Sequence, residues 1–240
     1  MGDETSGLYG QLLLGGAFVV AQITALCLAE RAGVDSRTAF WLTVAGAAGA
    51  VLGGERGVIG AIAGATAAVV AWSALARRPI LAHLDAMVPA AFLGYAVARM
   101  ACLVEGHCFG IVTDLPFGII YAPGTNAYAA QVAAGLIDSH AARSLPVHPT
   151  QLYHAAFGLA AFLVLLRWKS SYPGSRLALA LALYGSGRFG IEFLRAETQP
   201  VLGPLDLNHI ACLAMLMAAL LLWRFAGRAG PRRLFLKPTA

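Results

Sequence analysis

The sequence predicts an all-α integral membrane protein with about seven transmembrane helices. Hydrophobic residues make up 59% of the 240 residues, charged residues only 12%, and the mean hydropathy is +0.71. A soluble domain carries about one quarter charged residues, so a water-soluble fold of this size could not bury so much apolar surface. Within lipid every backbone amide must be hydrogen bonded inside the protein, and helices satisfy this requirement locally.

Apolar runs long enough to cross a bilayer, about 17–25 residues per helix, follow one another along the chain. They lie at residues 8–29, 38–54, 57–76, 86–104, 151–168, 177–194 and 207–227. The second run is short and rich in Gly and Ala, and it turns into the third through a tight Gly-Gly-Glu-Arg-Gly hairpin. We expect residues 1–240 to form a single transmembrane domain.

The distribution of Lys and Arg predicts the orientation in the membrane. If the N-terminus lies outside, most of the 17 basic residues fall on cytoplasmic loops and on a cytoplasmic C-terminus. Short cytoplasmic loops carry an excess of positive charge, so this orientation is the expected one. The basic residues form no single patch, so the net charge of +5 does not indicate nucleic-acid binding.

Residues 105–150 form a long periplasmic segment between the fourth and fifth predicted spans. Apolar residues such as Ile119, Tyr121 and Tyr128 stand there among Pro and Gly, so we expect an arm that packs on the helical bundle. A short helix is predicted near residues 126–136, with Asn126 as its N-cap. A loop of this length in a compact protein is more often functional than a spacer.

Charged residues also lie inside the predicted spans. Arg99 lies near the outer end of the fourth run, and Arg188, Glu192 and Arg195 share one face of the sixth. A charge at membrane depth costs a few kcal/mol, so it usually faces a partner or a wet cavity.

Two interpretations of these charges remain open. In the structural one, Glu192 neutralises an arginine and the pair ties helices together. In the other, one carboxylate cannot neutralise three guanidinium groups, and the surplus positive charge favours an anionic ligand. Phosphate is the natural anion in a lipid environment, and arginine suits it through a planar fork of donors.

Histidines gather on the predicted outer side, at His107, His148 and His154. Such a residue can act as a general base near neutral pH or be a hydrogen-bonded structural residue. His83 and His209 are expected to be structural, and Gln151 and Tyr153 could be interfacial anchors. Paired CxxC and HExxH motifs are missing, so no metal site is expected.

The four cysteines are expected to be small buried residues rather than a disulfide framework, since they are scattered and three lie in apolar runs. Cys102 and Cys108 could meet only if the chain turns sharply at Gly106.

Three motifs in order resemble those of the prolipoprotein diacylglyceryl transferases. Arg99, followed by Gly-His-Cys-Phe-Gly at 106–110 and Thr-Asp-Leu-Pro-Phe-Gly at 113–118, resembles the central signature of that family. His-Pro-Thr-Gln-Leu-Tyr at 148–153 resembles its HPSQLYE motif, and residues 184–195 resemble its late helix. Tyr9-Gly10 also fits, so the resemblance is collinear over nearly the whole chain.

The resemblance implies a transferase that needs no cofactor and works at the outer leaflet of the bacterial cytoplasmic (inner) membrane. Its reaction would move the diacylglyceryl group of phosphatidylglycerol to the lipobox cysteine thiol of a prolipoprotein signal peptide. A thioether would form and glycerol phosphate would leave. The partners would be membrane lipid and prolipoprotein, and the family's N-out helical fold agrees with the topology expected above.

The resemblance also implies roles for particular residues. Arg99 and Arg188 would bind the lipid phosphate, with Glu192 as the acidic partner and Arg195 as a supporting charge. His148 matches the third motif as a candidate catalytic residue. Further substrate-binding positions implied by the match are Tyr9, Gly110, Gln151 and Tyr153.

The chain departs from the family pattern in two places. The central signature often reads Asn-x-x-Asn-Gly-Glu where this chain has Cys102, Glu105, Gly106 and His107. The family's His-Gly-Gly-Leu-Ile-Gly segment, whose His is assigned a catalytic role, aligns with Glu-Arg-Gly-Val-Ile-Gly at 55–60. The general base therefore stays open among Glu55, His107 and His148.

Because the His of the family's segment is missing at residues 55–60, other functions stay open. The chain could be a related transferase that uses the same donor lipid on another acceptor, or a non-catalytic lipid-binding relative. A transporter is disfavoured, because the spans below Arg99 and Arg188 are almost free of charge.

Overall fold

The structure is a computed structural model that describes residues 3–31 and 80–226, together with single helical positions at 37, 40, 41, 43, 44, 67, 70–72, 74 and 75. The predicted runs at 38–54 and 57–76 and the hairpin between them lie largely outside these residues. Glu55 lies outside them as well, so its proposed role as a base stays a prediction.

Helices dominate the described ranges. They are α1 (Asp3–Arg31), α2 (Ile80–Glu105), α3 (Asn126–Ala133), α4 (Thr150–Arg167), α5 (Ser175–Glu192) and α6 (Leu207–Ala226). All but α3 correspond to predicted apolar runs, although α1 and α2 begin earlier than the runs suggested. Two short antiparallel strands, β1 (Pro200–Leu202) and β2 (Leu205–Asp206), form a hairpin that the all-α prediction did not contain.

Four of these helices are long and apolar enough to cross a membrane, at Gln11–Arg31, Leu81–Glu105, Thr150–Arg167 and Leu207–Phe225. Large apolar side chains such as Leu163, Leu220 and Phe225 are exposed on them. A helix that exposes such side chains needs lipid rather than water around it. The chain is therefore a mostly helical membrane protein.

The chain divides into two compact units. Of the continuously described ranges, one unit comprises residues 18–31, 80–93, 161–183 and 216–226. Within it, Asp85 is buried at 5% exposed. The Asp85 carboxylate accepts hydrogen bonds from the backbone amides of Gly174 and Leu177, at 2.8 and 2.7 Å. These amides lie at the start of α5, where a helix leaves its donors unsatisfied, so Asp85 stabilises this helix terminus.

The other unit comprises residues 3–17, 94–160 and 184–215. Within it, α2 ends in a Schellman turn at Gly106, whose φ is +70°. The Gly106 amide donates to the carbonyl of Leu103 at 3.3 Å, and the His107 amide donates to that of Cys102 at 3.0 Å. Glycine takes this left-handed conformation without steric cost. The chain therefore reverses here, which is the turn required for Cys102 and Cys108 to meet.

The segment 105–150 has an apolar cluster of its own, formed by Phe109, Tyr121, Ala127 and Val147. The N-cap of α3 is Thr125, whose side chain accepts a hydrogen bond from the Tyr128 amide. The prediction that Asn126 caps this helix is therefore wrong. The Asn126 amide group instead contacts the His107 ring at 2.9 Å.

Gly110 joins this segment to two others. Its amide donates to the carbonyl of His148 at 3.0 Å, and the next amide, of Ile111, donates to the carbonyl of Leu194 at 2.9 Å. A Cβ on Gly110 would lie 2.5 Å from the His148 Cβ and 2.7 Å from each of these two carbonyl oxygens. The three backbone segments are thus too close together for any side chain at this position.

We expect Gly110→Ala to destabilise the protein by about 1–3 kcal/mol, because the backbones must move apart. Thermal unfolding in detergent would measure the loss. Gly190→Ala is the matched control, since a Cβ there meets nothing within 4 Å and alanine favours a helix. Equal unfolding temperatures for Gly110→Ala and the unmodified protein would contradict the close approach.

Candidate functional site

Arg99 is buried near the end of α2, where it is 7% exposed. Its guanidinium carbon lies 4.7 Å from the ring centroid of Tyr95, in a cation–π contact. Its nearest recorded polar contact is the Cys108 sulfur, at 3.7 Å from Nη1. Within residues 3–31 and 80–226, no carboxylate lies within ion-pair distance of Arg99.

Tyr95 connects Arg99 to Arg188. Tyr95 lies four residues before Arg99 on α2, and its hydroxyl is within hydrogen-bonding reach of the Arg188 side chain. The Tyr95 ring also packs edge-on against Tyr184, with centroids 5.7 Å apart. The structure therefore brings the two predicted phosphate-binding arginines to one cluster rather than to opposite sides of the helices.

Glu192 is the buried carboxylate of this cluster, with no exposed surface. It lies 3.3 Å from Nη2 of Arg188 and 3.0 Å from Nη1 of Arg195. The side-chain amide of Asn208 donates to it at 2.9 Å. The predicted pairing of Arg188 with Glu192 is therefore present.

A second carboxylate changes the charge balance expected from the sequence. Glu197 lies 3.2 Å from Nη2 of Arg195, so Arg195 contacts two carboxylates. The surplus positive charge is therefore not spread evenly over the arginines. In the described part of the chain it is concentrated at Arg99.

His154 lies at the centre of the cluster and is fully buried. Its Nδ1 is 2.8 Å from the Tyr95 hydroxyl, and the positive charges of Arg99, Arg188 and Arg195 act on its ring. Its Nε2 has no hydrogen-bond partner among the described residues. A buried polar atom without a partner is costly, so this nitrogen is suited to meet a ligand atom.

The motif at 148–153 holds the turn at 107–110 against the start of α4. Gln151 is fully buried, and its amide group donates to the His107 carbonyl at 2.6 Å and to the Tyr121 hydroxyl at 3.2 Å. The Thr150 hydroxyl donates to the Cys108 carbonyl. The alternative that Gln151 is an interfacial anchor is therefore wrong. Tyr153 is half-buried, with its hydroxyl 3.2 Å from Nδ1 of His148.

Other predicted site residues stand apart from the arginines. The His107 side chain is 51% exposed and lies 4.0 Å from Glu105. Tyr9 is 61% exposed on α1, and no contact recorded within the described residues joins it to the cluster. His209 is a structural residue as expected, since it is 2% exposed and lies 2.8 Å from Asp206.

Tyr95, Glu197 and Asn208 were not predicted as members of this cluster, whereas His154 was one of the histidines expected on the outer side. A usable signal existed for the first of them, because Tyr95 precedes Arg99 and Tyr184 precedes Arg188 by the same four residues. This spacing puts an aromatic ring on the same helical face as each arginine. Asn208 comes from α6 and has no such local signal.

Comparison with known proteins identifies the family of this chain. The sequence profile described as prolipoprotein diacylglyceryl transferase matches residues 56–225. A phosphatidylglycerol–prolipoprotein diacylglyceryl transferase 2 of Clostridium perfringens is 28% identical over 69% of this chain and 60% of its own length. Transferases with the same name, without the number, from Clostridium tetani and Rhodococcus jostii are each 31% identical, over 61% and 74% of this chain.

The matched segments cover only 54% and 50% of the length of the last two relatives, so the chain spans about half the length of the curated relatives it matches. The family profile, however, covers more than half of the 240 residues and includes every member of the arginine cluster. On these grounds the chain belongs to the prolipoprotein diacylglyceryl transferase family.

Proposed function

We propose that this chain transfers the diacylglyceryl group of phosphatidylglycerol to the lipobox cysteine of a prolipoprotein, forming a thioether and releasing glycerol phosphate. The observation that carries the proposal is Arg99, a buried cation without a carboxylate partner in the described ranges, joined to Arg188 through Tyr95. The names of the relatives state the same donor lipid and a prolipoprotein acceptor.

In this proposal Arg99 and Arg188 hold the lipid phosphate. Arg99 lacks a competing carboxylate, whereas Arg188 is kept in place by Glu192. Negative charge grows on the phosphate as it leaves, and preorganised guanidinium groups stabilise such charge strongly where water is excluded. Glu192 and Arg195 act as positioning residues, and His154 supplies a further polar atom to the headgroup.

The acceptor thiol must lose its proton, because the thiolate is the nucleophile. Its sulfur would attack the terminal glycerol carbon, and the bond between that carbon and the phosphate oxygen would break. We favour His148 over His107 and Glu55 as the base. The backbone of His148 is bonded to Gly110, which pairs in turn with Arg195, whereas His107 is exposed and contacts Asn126.

Gly110, Gln151 and Tyr153 support the binding site in this proposal rather than touch the phosphate. Gly110 allows the close approach of three backbone segments, and Gln151 holds the turn that carries Cys108. Tyr153 contacts the His148 ring and could orient it. Tyr9 would contribute only from the lipid-facing side of α1, where it is exposed.

The proposed setting is the bacterial cytoplasmic membrane, with about seven spans in a single transmembrane domain and the N-terminus outside. Residues 105–150 form a periplasmic arm in this arrangement, and the arginine cluster faces the outer leaflet. Four apolar helices of spanning length and the distribution of basic residues support this topology.

A fusion assay tests this orientation. We expect alkaline phosphatase, which is active only outside the cytoplasm, to be active when fused after residue 143 in the arm. The same enzyme fused after residue 169, which follows α4, should be inactive at equal expression. The opposite pattern would require the reverse topology and would place the cluster on the cytoplasmic side.

Arg99→Ala and Arg188→Ala should each lower transfer by roughly a hundredfold or more, because each removes a donor to the departing phosphate. Arg99→Lys should also lose most activity, since lysine lacks the bidentate fork. Mass spectrometry of a lipobox peptide incubated with each variant in phosphatidylglycerol vesicles measures the product. Arg143→Ala, an exposed arginine of the same arm, is the control. Full activity of a folded Arg99→Ala protein would remove the phosphate-binding role.

Tyr95→Phe should lower kcat/KM by roughly tenfold to a hundredfold, because the hydroxyl that joins His154 to Arg188 is lost. The cation–π contact with Arg99 remains in this variant, so lipid binding should change less than kcat. Tyr172→Phe, whose hydroxyl contacts the Trp223 carbonyl at 3.5 Å, is the matched control. An unchanged kcat would show that Tyr95 acts through its ring alone.

The absence of the family's His at residues 55–60 favours a second candidate, a relative that binds the lipid without transferring it. The same peptide assay separates the two. Retention of phosphatidylglycerol without a lipidated peptide would favour the non-catalytic relative. Consumption of the lipid without a lipidated peptide would favour a related transferase with another acceptor.

A further inference from the structure

The Schellman turn at Gly106 places two cysteines side by side. Cys102 lies in the last turns of α2, and Cys108 follows the turn with a left-handed φ of 56°. The Cys108 sulfur comes back to the end of α2, where it lies 3.7 Å from Nη1 of Arg99, and the two thiols are close enough to influence each other's ionisation. Both residues are partly accessible, and neither is in a disulfide.

The surroundings of Cys108 favour its thiolate form. The neighbouring Cys102 thiol holds the pKa of the Cys108 thiol below its ordinary value. Burial opposes this effect, and the nearby charges of Arg195 and Arg99 add to it. The Cys108 sulfur lies 3.7 Å from the Arg99 guanidinium. A thiolate here is thus a reactive nucleophile and also a counter-ion for Arg99.

We propose that Cys102 and Cys108 form a redox-active dithiol, and that closing it to a disulfide frees Arg99 for an anionic ligand. The oxidant is a disulfide, either a small molecule such as oxidised glutathione or a protein thiol oxidase. The Cys108 thiolate attacks one sulfur of that disulfide and releases a thiolate. Cys102 then loses its proton to the released group and attacks the Cys108 sulfur, which releases the second group as a thiolate that takes a proton from water.

Both cysteine sulfurs are oxidised in this exchange, and the disulfide of the oxidant is reduced to two thiols. The product carries no charge at Cys108, so Arg99 loses its anionic contact while remaining buried. The affinity of Arg99 for an external anion then rises. The proposed disulfide depends only on the positions of the two cysteines. The choice of a lipid phosphate as the anion rests on the proposed function.

The proposed location suits this chemistry. Cys108 lies in the segment 105–150, which we place outside the cytoplasmic membrane, and disulfides persist in that oxidising compartment. Cys27, which is exposed on α1, has no comparable neighbour among the cysteines of the described segments. It therefore serves as an internal control for nonspecific oxidation.

The first test uses the full chain in phosphatidylcholine nanodiscs equilibrated with a series of glutathione redox buffers. Free thiols are alkylated, the sample is reduced, and the new thiols are labelled with a second reagent before peptide mass spectrometry. We expect Cys102 and Cys108 to be oxidised together, in one intramolecular step, ahead of Cys27. Cys102→Ser should instead give a mixed disulfide of glutathione with Cys108. Independent oxidation of the two cysteines, or persistence of both thiols in nearly fully oxidised glutathione, would overturn the dithiol.

The second test measures retention of phosphatidylglycerol, against phosphatidylcholine, by the oxidised and the reduced protein. We expect roughly fivefold tighter retention in the oxidised state, and no such difference in Arg99→Gln. Equal retention in both states would overturn the link to Arg99. If neither state retains the lipid although the disulfide forms, the proposed function fails while the dithiol stands.

Discussion

A guanidinium group buried among apolar helices has to be met by another charge or by a polarisable group, and this requirement organises the whole site. Arg99 is met by the face of Tyr95 and by the Cys108 sulfur rather than by a carboxylate of the described residues. Both contacts are weaker than a buried ion pair, so Arg99 keeps part of its charge available. A fully neutralised arginine would have little to offer an anion.

The charges of Arg188 and Arg195 are compensated in a different way from that of Arg99. They share Glu192, which also accepts a hydrogen bond from Asn208, so this carboxylate is held from α5 and from α6. A buried carboxylate with several donors costs less than an isolated one, and it fixes the directions of the arginines around it. The cluster thus combines two positioned cations with one that is only loosely compensated.

The sequence predicted local features better than distant ones. The spacing from Arg188 to Glu192 placed both on one face of a helix, and the apolar runs located the long helices that the structure describes. Thr125 took the capping role expected of Asn126, since either side chain can accept an amide hydrogen bond and only the backbone path decides between them. Glu197 and Asn208 could not be foreseen, because they reach the cluster through the chain reversal after α5 and the start of α6.

The segments that form the cluster are distant in sequence, and they meet because their backbones approach one another closely rather than because of side-chain chemistry. Gly106 turns the chain at the end of α2, and Gly110 lets it run beside His148 and Leu194. Because Arg195 directly follows Leu194, the same contact that excludes a side chain at Gly110 also brings the end of α5 to the turn that carries Cys108. The positions of the buried charges therefore depend on two glycines that carry no functional group.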